Sequence, residues 1–141
     1  MLLPDFGPER QEQLEDATVL VVGCGALGCG VADLLARAGV GTIRLVDRDI
    51  VEQTNLQRQV LYCQADADAS RPKALAAAER LRAVNPTIDI EPVIDDFRAS
   101  NAEDIAAGMS LLIDGLDNFD ARYLLNDLAV KYGLPYIYAG A

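Results

Sequence analysis

Histidine is absent from this chain of 141 residues, and its absence removes whole classes of chemistry. Serine-histidine-aspartate and cysteine-histidine catalysis are excluded, as is any metal site built on imidazole. Cysteine is scarce: Cys24, Cys29 and Cys63 form no C-x-x-C pair and leave one thiol odd. They read as reduced thiols of a cytoplasmic protein, with no zinc site within the chain. Cys24 and Cys29 flank a glycine turn and are expected to fill a tight bend rather than to act as redox groups. Positive charge is in deficit, 12 Lys and Arg against 22 Asp and Glu, for a net charge of −10. That balance argues against non-specific binding to nucleic acid or to an anionic membrane. Any polyphosphate must then be gripped by a few local cations or by a metal. No apolar run approaches the roughly 20 residues of a membrane span. With 51% hydrophobic residues and a mean hydropathy of +0.13, the composition is that of a soluble globular protein, and the length is that of one domain. Met1-Leu2-Leu3-Pro4-Asp5 is too short, and turns acidic too soon, to be a signal peptide.

What is present is organised around residues 17–47. An apolar run at 19–22 enters Gly23-Cys24-Gly25-Ala26-Leu27-Gly28, an amphipathic segment follows, and a second apolar run at 42–46 ends on Asp47. This pattern is a nucleotide-binding βαβ unit. Gly23 allows the tight turn, Gly25 lets backbone approach a phosphate, and Gly28 lets helix and sheet pack closely. The helix starting near Ala26 offers unpaired N–H groups and a positive dipole end to an anion. Asp47, 19 residues beyond Gly28, is placed to accept hydrogen bonds from ribose hydroxyls.

The remaining pattern alternates. Residues 6–15 read as a lead-in helix with Pro8 in its first turn. The helix after the glycine turn runs to about Ala38, with Leu27, Val31, Leu34, Leu35 and Ala38 as one expected buried stripe, and Gly39 stops it. Further helices are expected at 73–85, at 100–107 with Ser100 as cap, and at 119–132, where Ala121, Leu125, Leu128, Ala129 and Tyr132 are expected inside. Strands are expected at 88–94, 110–114 and 135–139. No repeat, linker or low-complexity segment interrupts them. The expectation is a Rossmann-like α/β fold, a doubly wound parallel sheet of five strands in the order 3-2-1-4-5 with right-handed crossovers and helices on both faces.

Ligands of such sheets bind at the carboxyl ends of the strands, where Asp47, the loop at 55–58, Asp114 and Asp117 converge with the glycine turn. Residues 47–59 form a polar stretch without periodicity, longer than an ordinary connection of about 2–6 residues. Asn55 and Arg58 share it, and Arg offers a rigid fork for phosphate oxygens. Lys73 opens a helix, where a cation opposes the dipole and so wants an anionic partner. Asp117 lies beyond the fourth strand, where a hard cation with phosphate ligands would sit. Singly, each has a plainer reading: Arg58 or Lys73 as a solvated charge, Asp117 as a helix cap, Asp95-Asp96 as a solvated loop. Together they suit a magnesium triphosphate better than a pyrophosphate bridge.

These residues resemble the ThiF/MoeB/HesA adenylyltransferases of the ubiquitin-activating enzyme superfamily. The resemblance covers nearly the whole chain and rests on the glycine motif, on Asp47-Arg-Asp-Ile-Val-Glu-Gln-Thr-Asn-Leu-Gln-Arg-Gln59, on Arg71-Pro-Lys73 with Asn85-Pro86, and on Asp114-Gly-Leu-Asp117-Asn118 with Arg122. It implies ATP-dependent adenylation of the C-terminal glycine of a ubiquitin-like sulfur-carrier protein of the ThiS/MoaD kind. By the match Asp47 holds the ribose, Asn55, Arg58 and Lys73 hold phosphates, Asp117 coordinates Mg2+, and the turn around Ala26 supplies backbone donors. Gln57 and Asn118 stand in the same two motifs as further cofactor-binding candidates. Arg58, Lys73 and Asp117 are the catalytic candidates. A carboxylate with an ordinary pKa of about 3.5 needs no general base, so a protein without histidine can run this chemistry. The resemblance also implies a homodimer. Against the family pattern, an arginine-rich segment is expected upstream of Leu2-Leu3-Pro4, and a second half beyond Ala141, so the chain reads as cut at both ends. A last strand left at the sheet edge is then expected to pair with another chain or to reduce solubility. The competing readings are a nicotinamide-dependent oxidoreductase, in which the loop at 55–58 has no role, and a nucleotide-binding scaffold without catalysis.

Overall fold

Short apolar strands that cannot bury both faces alone dictate the architecture seen in the computed structural model, which describes residues 6–140. The signal-peptide expectation for Met1 to Asp5 falls outside that range. Helix α1 (Pro8–Asp16) leads into β1 (Thr18–Val22), α2 (Ala26–Ala38) and β2 (Thr42–Val46). A polar connection with one 3-10 turn (Gln53–Asn55) and a short helix α3 (Gln64–Asp68) follow. Then come α4 (Lys73–Val84), β3 (Asp89–Val93), α5 (Ala102–Ala106), β4 (Leu111–Asp114), α6 (Phe119–Tyr132) and β5 (Tyr136–Tyr138). All four strand pairings are parallel and the order is β3-β2-β1-β4-β5, so the expected Rossmann-like sheet is what forms. Order reverses at β1, which places the switch point, and hence the crevice, between the ends of β1 and β4.

Both faces of the sheet are covered. Val19, Val21, Ile43, Leu45, Ile90 and Ile113 meet α2 and α4 on one side. Leu20, Val22, Val46 and Leu112 meet α5 and α6 on the other. Leu20, Val21, Ile43, Leu45, Leu81, Leu112 and Leu125 are wholly enclosed. Each such side chain contributes about 1.5–3 kcal/mol relative to exposure. No helix among the described residues is long and apolar enough to cross a membrane.

Several burial expectations are corrected. In α2 the side against the sheet carries Gly28, Cys29, Ala32 and Ala36, whereas Leu34 of the expected stripe is 68% exposed and Ala38 is exposed too. The cause is close approach: a Cβ on Gly28 would lie 1.8 Å from the Gly23 carbonyl oxygen, so only small residues fit beneath this helix. In α6, Leu125, Leu128 and Ala129 are buried as expected, but Ala121 is only half-buried and Tyr132 turns outward to meet Glu103. Helix α5 starts after Asn101 rather than Ser100, without a side-chain cap. The Asn101 amide is instead taken up with the preceding loop, donating to the Asp96 carbonyl at 2.8 Å and accepting from the Arg98 N–H at 2.9 Å. Helix α3 is an element beyond those expected from the sequence; it is held by Asp66, which accepts from the Cys63 N–H and from Arg71.

Candidate functional site

Three glycines shape the turn out of β1, each for a different reason. Gly23 has φ +94°, and a Cβ there would come within 2.6 Å of the Gly115 carbonyl oxygen, so the turns after β1 and β4 touch backbone to backbone. Gly28 sits against Gly23 as described above. Gly25 has an ordinary φ of −80° and would accept a Cβ sterically, meeting only Gln59 Nε2 at 4.0 Å. Glycine at 25 therefore clears space for something other than protein. Immediately beyond it, Ala26 starts α2 with no side-chain cap and no acidic residue in the first turn, which leaves first-turn N–H groups for an anion.

Asp47, at the end of β2, accepts from the Cys24 N–H and from the Asp49 N–H, both at 2.8 Å. Each carboxylate oxygen keeps lone-pair capacity for a hydroxyl donor. The connection after β2 lacks periodicity because it is built from local polar bonds. The Asn55 side chain accepts from the Glu52 N–H at 3.0 Å, which closes the 3-10 turn and leaves Asn55 buried. Arg58 follows on the outside of that turn and donates to the Thr54 carbonyl at 3.0 Å. Lys73 enters from the start of α4, buried, with Nζ 3.8 Å from an Asp49 carboxylate oxygen. That aspartate is the anionic partner the helix start demands.

At the far side, Asp114 is fully enclosed and accepts from the Leu116 N–H (2.9 Å), Arg122 Nε (2.8 Å) and the Tyr136 hydroxyl (2.7 Å). Burial, and then the Asp114 carboxylate, push the Tyr136 phenol well up. The Arg122 guanidinium lies over the rings of Tyr138 and Phe119, 4.5 and 5.5 Å from their centres. Asn118, not Asp117, caps α6, accepting from the Ala121 N–H at 3.0 Å. Asp117 is exposed, and its carboxylate has no hydrogen-bond partner among the described residues.

These elements surround one open cleft of roughly 970 Å³, at the upper end of the range of about 300–1,000 Å³ usual for ligand sites. Its wall includes Gly23, Gly25, Ala26, Asp47, Asn55, Arg58, Lys73, Asp117 and Asn118 of the candidate residues. Gly28 lies beneath it, buried, and Gln57 is exposed outside the wall. Gln59 takes the place expected of Gln57: it is 4% exposed, it lines the cleft, and one end of its amide, Oε1, has no partner among the described residues. Arg48 and Asp96, paired at 3.1 Å, and the Phe119, Arg122 and Tyr138 side chains complete the wall. The irregular turn at 53–55 decides which of 57 and 59 points inward, and no period in the sequence reveals that. The Asp95-Asp96 loop, expected to be merely solvated, also borders the cleft.

The chemistry offered is anion binding by Arg58, Lys73 and free N–H groups, with hydroxyl binding by Asp47. No group of three or more potential metal ligands exists among the described residues. A magnesium ion would therefore rest on Asp117 and on oxygens of the ligand, a donor set Mg2+ commonly accepts. The vacancy at Gly25 fits a phosphate group, and the partnerless Gln59 Oε1, which can only accept, fits a hydroxyl or N–H donor of a polar ligand. Cys24 and Cys29 are buried in the bend, and burial pushes both up from the ordinary thiol range, whereas Cys63 is exposed, away from the cleft wall.

Comparison with known proteins agrees. The family model described as the ThiF family matches residues 1–141. The sulfur carrier protein ThiS adenylyltransferase of Bacillus subtilis is 42% identical over 137 residues, 97% of this chain and 41% of that protein. A sulfur carrier protein adenylyltransferase of Thermus thermophilus is 46% identical over 138 residues, 98% of this chain and 50% of that protein. The chain thus spans half or less of the length of these two relatives. Among solved structures, the E. coli tRNA N6-threonylcarbamoyladenosine dehydratase TcdA in complex with ATP superposes with a TM-score of 0.89 at 31% identity, covering 96% of this chain and 56% of that one. E. coli MccB with ATP gives 0.83 at 29% identity, covering 92% and 38%.

Proposed function

The chain belongs to the ThiF family, and from that premise we propose that it is the nucleotide-binding core of an enzyme that adenylates the C-terminal carboxylate of a ubiquitin-like sulfur-carrier protein, using ATP and Mg2+. The observation that carries the reading is the cleft in which two cations from separate segments, Arg58 and Lys73, share a wall with Gly25 and Asp47. The names of the two relatives support the carrier as substrate. The TcdA and MccB complexes support ATP.

In this reading Asp47 receives the ribose, and the N–H groups at the start of α2, with Asn55, hold phosphate oxygens. The Gln59 Nε2, the end of that amide nearest Gly25, donates one more hydrogen bond to a phosphate oxygen there. The incoming carboxylate is already ionised at neutral pH and attacks the α-phosphorus directly. A carboxyl-oxygen-to-phosphorus bond forms as the bond from that phosphorus to the bridging oxygen breaks, and pyrophosphate carries the electron pair away. Arg58 and Lys73 stabilise charge accumulating on that leaving group, and Lys73 is the stronger of the two because it is desolvated. Asp117 would hold Mg2+, whose contribution is to neutralise phosphate oxygens. The protein would act in the cytoplasm as a homodimer. A nicotinamide oxidoreductase would leave Arg58 and Lys73 without a task.

The test is ATP–pyrophosphate exchange by the full-length protein with a carrier ending in Gly-Gly. Exchange that requires the carrier and is lost in Lys73→Ala is expected. Absent exchange with retained ATP binding would favour a scaffold, and thermal stabilisation by NAD equal to that by ATP with Mg2+ would favour the oxidoreductase.

A further inference from the structure

Asp117 stands between two pinned residues. The Leu116 peptide is held at both ends, its N–H donating to Asp114 at 2.9 Å and its carbonyl accepting from Arg122 Nη2 at 2.7 Å. Asn118 is fixed by its cap to Ala121. Arg122 also binds Asp114 through Nε at 2.8 Å, so one guanidinium grips both the end of β4 and the residue before Asp117. Tyr136 braces the same carboxylate from β5. The rings of Phe119 and Tyr138 flank the guanidinium, and its third hydrogen bond runs from Nη1 to the Tyr138 hydroxyl at 3.4 Å.

We propose that Arg122 is a positioning residue for Asp117: clamped between Asp114 and the Leu116 carbonyl, it fixes the 115–118 loop so that the Asp117 carboxylate is presented to the cleft. The metal half of this assignment rests on the adenylation reading; the clamp itself does not. A buried arginine-aspartate pair with no role beyond stability would lower all parts of the protein together. A positioning residue acts on one loop and one ligand. Lysine cannot replace it, because a single ammonium cannot span Asp114 and Leu116 with the fork geometry used here.

The experiment has two readouts on Arg122→Gln and Arg122→Lys. Amide hydrogen exchange without nucleotide is expected to speed up at Leu116 by about tenfold or more while the β1 and β2 amides keep their protection. Calorimetric titration is expected to show ATP with Mg2+ bound about tenfold more weakly, as removal of a ligand's support commonly does, with AMP in EDTA held within about twofold. Combined with Asp117→Ala, Arg122→Gln should weaken ATP with Mg2+ no further than Asp117→Ala alone. Unchanged exchange at Leu116, uniform loss of protection over the whole sheet, or equal loss for AMP and for ATP with Mg2+ would overturn the proposal. If Arg122→Gln does not fold, Tyr136→Phe loosens the same carboxylate more gently and is read the same way, a silent result counting against the clamp. If the unaltered protein binds ATP without regard to Mg2+, the adenylation reading fails first, and the exchange data still decide whether the clamp exists.

Discussion

The cleft has two sides built on opposite principles. On the β1-α2-β2 side the wall is shaped by backbone, and the decisive residues are those without side chains: Gly23, Gly25 and Gly28. On the β4-α6-β5 side it works through a chain of long side chains, Asp114 to Arg122 and Tyr136, that supports a single exposed carboxylate. At Gly23 and Gly28 the first side has almost no freedom to move, since backbone already meets backbone there. The second gets its geometry from a buried charge pair and can lose it by one substitution. Rigidity on one side comes from missing atoms, on the other from satisfied ones.

The largest effect should fall on the side-chain half. Asp114→Ala strands Arg122 in a mostly enclosed site and removes three hydrogen bonds, so a loss of about 3–5 kcal/mol in urea unfolding is expected. A loss under about 1 kcal/mol would mean water replaces the carboxylate, and the contrast would collapse. Next is Gly28→Ala, which sets a methyl group 1.8 Å from a backbone oxygen; a cost of about 3 kcal/mol is expected in the same measurement. Gly25→Ala sharpens the comparison because the space is open. Its midpoint in urea should stay at the parental value, while ATP affinity falls about tenfold, or about 1.4 kcal/mol, by calorimetry. Lost stability with intact ATP binding would reverse the reasoning about that glycine. The smallest effect lies outside the cleft, at Asp66. Burial alone would raise its carboxyl, but the Cys63 N–H and thiol and Arg71 bring it below the ordinary range. A lowered native pKa adds stability that is complete above the unfolded value, about 3.9, and fades as pH falls through the native one. Asp66→Asn should therefore shift stability at pH 7 by under about 1 kcal/mol and flatten the acid limb below about pH 4. An unchanged limb would assign acid sensitivity to other carboxylates.

The same contrast explains what could be read in the residues alone. Strand positions, the parallel order and the glycine turn were legible because they depend on local composition and on where a Cβ is forbidden. Helix α2 begins and ends where expected, at Ala26 and Ala38, and α6 at Phe119 and Tyr132. The inward face of α2 was not legible: its apolar stripe suggested Leu34, whereas close contact with the glycine turn selected Ala32 and Ala36. Helix α3, with only five residues, has too few turns to display a period. Arg122 was visible as part of a motif, but its bonds to Asp114 and Leu116 span 8 and 6 positions and are made only once β4 and α6 pack. Gln59 differs from Gln57 only by the course of an irregular turn.

Asp47 illustrates a final consequence. Its two oxygens fasten Cys24 in the glycine turn and Asp49 in the following loop, and Asp49 in turn faces Lys73. One carboxylate is thus the hinge pin of three segments, and in the proposed reading it also receives the sugar. On the proposed reading, an engineer retargeting the pocket toward another nucleoside would reach first for this position. Here that exchange would also unfasten the turn and loosen the Asp49–Lys73 contact, so under that reading sugar preference and phosphate grip change together.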